Sequence, residues 1–202
     1  MGQGAQDYND YMSASLPCWN GSYYDEYPAG CGTIATAQVI KYLENYSSSD
    51  YPDGYVTTTL KGFIQFVAAG VNTHFDCGGS WCLSCSVVSF LNNLYGYTAN
   101  RSSFVPSTVD NELLAHRPVI ANAFSDALCL TSGHLWVIDG LDTWVQYRCD
   151  MNPWTHELFE TQVATYEDYS MNWGWGGADN GWFAFDDWES YTHCKHIITI
   201  HP

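Results

Sequence analysis

The chain has 202 residues, with six Lys plus Arg against 22 Asp plus Glu, a formal charge of -16 and a pI near 4.3. So few cations cannot be clustered into a phosphate-binding face, which argues against nucleic acid or an anionic membrane surface as a partner. Only 14% of residues are charged while 16% are aromatic, too apolar for an acidic disordered tail and suited to a folded, acidic domain with its own core.

No apolar run of roughly 18 residues occurs, so no transmembrane helix is expected. The polar start shows no signal peptide, and Met1-Gly2-Gln3 reads as an expression start on a mature domain. Residues 1 to 30 read as irregular. A helix is expected from Cys31, with Ile34, Ala35, Ala37, Val39, Ile40 and Leu43 at helical spacing and Ser47 to Asp50 as its break. Further helices fit Thr58 to Ala69, Ser84 to Leu94 (stopped by Gly96) and Thr108 to Ala115. Strands follow at Val119 to Phe124, Leu135 to Leu141, Trp144 to Arg148, Gln162 to Tyr166, Trp182 to Phe185 and His196 to Ile200. Helices first and strands afterwards predict an α+β fold, one domain over 1–202. A helical half at about 28–116 would pack on a β-rich half at about 117–202, with a cleft between them.

Eight cysteines, Cys18, Cys31, Cys77, Cys82, Cys85, Cys129, Cys149 and Cys194, are many for this length. With few lysines and many Tyr and Trp, they suit an extracellular protein with disulfides. His74, Cys77, Cys82 and Cys85 form a His-x2-Cys-x4-Cys-x2-Cys run that could instead close a tetrahedral zinc site. If one cysteine is a catalytic thiol, seven remain, and at least one more is unpaired within a monomer.

Three positions carry chemistry. Cys31 would sit at a helix N-terminus, where the dipole and free N–H groups lower a thiol pKa and favour a nucleophilic thiolate; a buried structural cysteine is the bland alternative. His134 stands between a polar turn and an apolar strand, a place for a general base or for a merely hydrogen-bonded ring. Asn172, in Met171-Asn172-Trp173-Gly174-Trp175-Gly176-Gly177, can accept an imidazole N–H, although Asn is also common in loops.

The chain order Cys, His, Asn is that of the papain-like arrangement. The segment Gly30-Cys31-Gly32-Thr33-Ile34-Ala35-Thr36-Ala37-Gln38 resembles the nucleophile segment of the streptopain family of papain-like bacterial cysteine peptidases. Gly133-His134-Leu135-Trp136-Val137-Ile138-Asp139-Gly140 resembles its histidine segment, and Asn172-Trp173-Gly174-Trp175-Gly176-Gly177 is similar to its asparagine segment. Gln3-Gly4-Ala5-Gln6-Asp7-Tyr8-Asn9 is similar to the mature N-terminal pattern, and Ile198 to Pro202 to the C-terminal strand.

The resemblance implies a two-lobed papain-like fold and a secreted or cell-surface bacterial endopeptidase acting on proteins or peptides. It would be a monomer without cofactor or metal, made as a precursor with an inhibitory pro-domain. It implies Cys31 as nucleophile, His134 as its base and acid, Asn172 orienting His134, and Gln3 in the oxyanion hole beside the Cys31 N–H. It implies Trp173 and Trp175 covering the His–Asn contact and lining the cleft, with Gly133 and Ser80 offering groups to the substrate backbone. The stretch from Cys31 to His134 looks shorter than the family pattern. The hairpin from His134 to Asn172 looks longer, with an extra piece around Tyr147 to Thr165. The same residues would serve a transglutaminase-like acyltransferase or, if inactive, a binding module; a zinc enzyme centred on His74 is a further alternative.

Overall fold

The structure, a computed structural model, describes residues 27–44, 60–93 and 96–202, together with the backbone of strands β1 (Cys18–Trp19) and β2 (Tyr24–Asp25), which pair antiparallel. The described residues form four helices and a six-stranded antiparallel sheet, an α+β arrangement.

Helix α1 (Cys31–Leu43) is buried nearly all round, from Gly32 and Thr33 to Val39 and Ile40, the pattern of a helix enclosed by protein. Its buried hydroxyls are satisfied: Thr36 Oγ1 donates to the Gly32 carbonyl at 2.7 Å and Thr33 Oγ1 meets Thr73 Oγ1 at 2.7 Å. Helix α2 (Leu60–Gly70) buries Phe63, Ile64, Val67 and Ala68, and α3 (Ser84–Asn93) buries Val87 and Leu91, each a single stripe at helical spacing. The expected start at Thr58, the end at Leu94 and the break at Ser47 to Asp50 lie outside the described residues.

The main sheet is ordered β3-β8-β4-β5-β6-β7, from β3 (Thr98–Ser103), β4 (Val119–Phe124), β5 (Gly133–Met151), β6 (Leu158–Asn172), β7 (Gly181–Ala184) and β8 (His193–His201). Side chains alternate between its two faces. Ile120, Leu135, Val137, Ile198 and Ile200 pack with α1, α2 and α3. Val119, Ala121, Trp136, Ile138 and Ile197 face the other way, onto Val109 of helix α4 (Pro106–Leu114) and onto Trp173 and Trp188. The sheet is therefore covered on both faces. α4 starts two residues before the expected Thr108, because Pro106 suits a first helical turn after extended Val105.

Three expectations change. β3 was expected as no strand, since only Ala99 of Thr98–Ser103 is buried; it pairs with β8, so the stretch 28–116 contributes a strand to the sheet. The two strands expected at Leu135 to Leu141 and Trp144 to Arg148 are one, and β6 extends well beyond Gln162 to Tyr166. From Trp144 onward the pair is a two-stranded ribbon with both faces in water, so no alternation of apolar and polar residues marks it. Within it Trp144 stacks on its cross-strand partner Tyr166 at 4.0 Å. The extra piece expected at Tyr147 to Thr165 forms the ribbon's outer end, where Trp154 is 88% exposed.

Cys129 and Cys194 form a disulfide that ties the loop ahead of β5 to β8 across 65 residues. A cross-link of this span restricts the unfolded chain, by about 2–4 kcal/mol in typical cases. A Cys129→Ala/Cys194→Ala double variant is therefore expected to lose about that much in urea unfolding; an unchanged midpoint would mean the bridge is energetically idle.

Candidate active site

Gly30 precedes α1 with φ +87, and a Cβ there would sit 2.9 Å from the Ser80 carbonyl oxygen. Only glycine combines that backbone with that approach, and it lays the loop of Gly78, Gly79 and Ser80 against the start of α1. Cys31 is the first helical residue, a free thiol 7% exposed. The next residue is glycine for a similar reason: a Cβ on Gly32 would lie 2.3 Å from the sulfur of Cys82, a second buried free thiol.

The helix start does not give Cys31 the low pKa expected of it. Burial pushes the thiol above its ordinary value of 9.0, while the backbone N–H groups of Leu135, Gly32 and Cys31 pull it back only in part. Desolvation of the charged form outweighs the dipole in so enclosed a place. The Leu135 contact also sets the sulfur beside the residue that follows His134.

His134 is the second residue of β5, 4% exposed, held in register opposite Ala123. Asn122 Nδ2 donates to its carbonyl at 3.2 Å. Its ring lies among Trp136, Trp173, Trp175 and Tyr191, with centroids 5.8, 5.9, 5.2 and 5.2 Å away. Nε2 is 3.0 Å from the Trp173 carbonyl. A carbonyl only accepts, so Nε2 carries the hydrogen and Nδ1 is the ring's open acceptor. Burial lowers the imidazole pKa to about 4, with the Trp173 hydrogen bond opposing it. Burial thus favours the neutral form of both groups.

Asn172, at the end of β6, does not take the imidazole N–H itself. Its Oδ1 accepts from Gln38 Nε2 at 3.3 Å and from the Gly174 N–H at 3.2 Å. Those bonds tie α1 to the turn of Trp173 and Gly174, and that turn presents the carbonyl His134 uses. Asn180 Oδ1 holds the same turn through the Trp173 N–H at 3.1 Å. Trp173 is fully buried, so it stacks beside His134 and lines no cleft; Trp175 is half-buried beside the same ring.

Cys31, Ser80, Gly133 and His134 line one cleft of about 720 Å³, with Cys82, Arg101, Asn122, Phe124 and Leu130 among its other walls. Ser80 Oγ accepts from the Asp76 N–H at 3.3 Å. Gln3 and the segment Gln3 to Asn9 lie outside the described residues. The zinc alternative does not survive as read, because Cys77 is disulfide-bonded and has no thiolate to give. Among the described residues no group of three or more His, Cys, Asp or Glu could hold a metal. His74 instead bridges to Trp81 across the loop, their rings 5.0 Å apart.

Asn122, Tyr191, Gln38 and Arg101 were not singled out from the sequence. Asn122 was readable in part, as a polar residue inside an apolar strand that must find a partner. Tyr191 sits in an irregular segment with no local signal.

The unfolded chain protonates His134 below its ordinary value of 6.5, the folded chain only near 4. Unfolding takes up a proton between the two, so stability falls as pH drops through that window and levels off below it. The expected loss is about 3 kcal/mol. Urea unfolding at pH 7 and pH 4 measures it, and His134→Phe is expected to remove this part of the slope; an unaltered slope would contradict the buried neutral ring.

A search of curated proteins found no match. Residues 54–183 match the model of the Peptidase C10 family, a stretch that includes His134 and Asn172 and begins after Cys31. The match spans more than half of the chain, and the chain belongs to the Peptidase C10 family, the streptopain family of cysteine peptidases.

Proposed function

We propose that the chain is a secreted endopeptidase that cleaves peptide bonds of proteins through an acyl-enzyme on Cys31. The observation that carries this reading is a free thiol at a helix start sharing one cleft with an oriented, buried histidine. In this reading Nδ1 of His134 takes the Cys31 proton as the sulfur attacks the scissile carbonyl. The C–N bond breaks, and His134 returns the proton to the leaving amine. Water, deprotonated by the same nitrogen, then attacks the thioester and frees the acid and the thiol. Gln3, with the Cys31 backbone N–H, would bind the oxyanion; one such donor contributes about 2.7–4 kcal/mol to the transition state.

Asn172 acts here as a positioning residue, holding the turn that offers the Trp173 carbonyl to Nε2. Gly133 and Ser80, on facing walls, would take the substrate backbone. In this reading a two-lobed papain-like arrangement would set the helices against the strands, and an N-terminal pro-domain would cover the cleft before maturation. Among the described residues no helix is long and apolar enough to cross a membrane.

In this reading the thiol carries the one transferable proton and Nδ1 of His134 is bare. Near pH 4 His134 gains a second and can no longer accept from the thiol; above the raised Cys31 value the pair loses the proton it must give to the amine. Peptide cleavage is therefore expected to follow a bell with its acid limb near pH 4 and its alkaline limb above 9.0. Iodoacetamide should abolish cleavage in step with modification of Cys31. Peptide mapping separates that site from the exposed free thiols Cys85 and Cys149. Full cleavage by protein alkylated at Cys31, or by Cys31→Ala, would overturn the reading.

A further inference from the structure

The cations of this chain are scarce and almost all engaged. Arg117 pairs with Glu112 and Arg148 with Asp150, each at 2.7 Å. Lys195 donates to the Asp186 carbonyl at 2.7 Å and lies 4.6 Å above the Trp188 ring. Lys41 and Lys61 are engaged by neighbours. Arg101 is different. Among the described residues its side chain has no ion pair and no hydrogen bond, and it is the one cation in the wall of the cleft that holds Cys31 and His134.

Strand register supports that placement. Arg101 pairs with Ile198, which pairs with Ile120, and Ile120 and Ile198 face α1. Asn122 and Leu135 lie two residues along on the same face and line the same cleft.

Among the described residues the cleft wall contains no Asp or Glu, although the chain has 22 of them. Two carboxylates on the bordering loops are turned into their own backbone. Asp76 Oδ1 accepts from the Gly78 N–H at 2.8 Å, and Asp126 accepts from the N–H groups of Leu130 and Thr131 at 3.2 and 3.1 Å. An arginine with no partner among the described residues of an acidic protein, in a cleft whose described wall has no carboxylate, is a cation available to what enters that cleft. A fixed guanidinium fork fits a carboxylate.

We propose that Arg101 is a specificity-determining residue that selects peptides carrying an Asp or Glu side chain at the subsite facing it. The inference deepens the peptidase reading and rests on it for the identity of the ligand. The acidic exterior repels acidic peptides at long range, so the preference is made within the cleft, at contact distance, where screening is weakest.

The test uses peptides differing only by Glu or Gln at each position in turn around the scissile bond. At one position the native chain is expected to favour Glu about fivefold in kcat/KM, the upper range for an ion pair reached by solvent. Arg101→Gln should bring that ratio to one and Arg101→Lys should keep part of it. Added salt should reduce it in the native chain. Binding of the same fluorescent peptides to Cys31→Ala reads the subsite without chemistry. Cleavage with no Glu preference at any position, or a preference that survives Arg101→Gln, overturns this proposal and leaves the peptidase reading intact. Absence of all cleavage, with the Glu preference retained in binding, overturns the peptidase reading and supports the subsite. A peptide preferred only through its free C-terminal carboxylate, with no response to Glu, also overturns the proposal.

Discussion

The hydrogen bond from His134 Nε2 to the Trp173 carbonyl, at 3.0 Å, is the contact on which the site depends. It joins the start of β5 to the turn after β6, and so fixes the ring at the cleft edge. It also decides chemistry. With one nitrogen committed to an acceptor, the other is left as a base. The surrounding rings of Trp136, Trp173, Trp175 and Tyr191 keep water from competing for that bond. The same enclosure makes charge costly and so favours the neutral forms of the ring and of the Cys31 thiol.

Two glycines make the other wall possible. Gly30 brings the Ser80 loop onto the start of α1, and Gly32 leaves room for the Cys82 sulfur. Gly32, inside the helix, is disfavoured on propensity alone. The conformational cost is offset by close packing that nothing larger permits, and that packing buries the Cys31 thiol.

Much of this was legible in the sequence because the signals were local. The run Ile34 to Leu43 has helical spacing, and apolar runs with turn residues between them mark β4 and the first part of β5. Cys31 and His134 stand at a helix start and a strand start, as their neighbours dictate. What was not legible depends on partners distant in sequence. Thr98–Ser103 is a strand because β8 lies beside it, not because of its own pattern. The outer ribbon is a strand pair with no buried face to impose alternation. Asn172 was expected to bond the imidazole, but Gln38, 134 residues away, shares its oxygen with Gly174, and no spacing rule reports that. The raised Cys31 pKa was missed for a similar reason: a helix start can be read from sequence, whereas burial by residues distant in sequence cannot. Arg101 drew no notice until the engagement of the other cations could be seen.

The most direct test of the account is nitrogen NMR of the histidine rings at pH 6, with the His134 signals assigned by their loss in His134→Phe. The account predicts a neutral ring with its hydrogen on Nε2 and Nδ1 bare. A doubly protonated ring at that pH, or a neutral ring with the hydrogen on Nδ1, would contradict it.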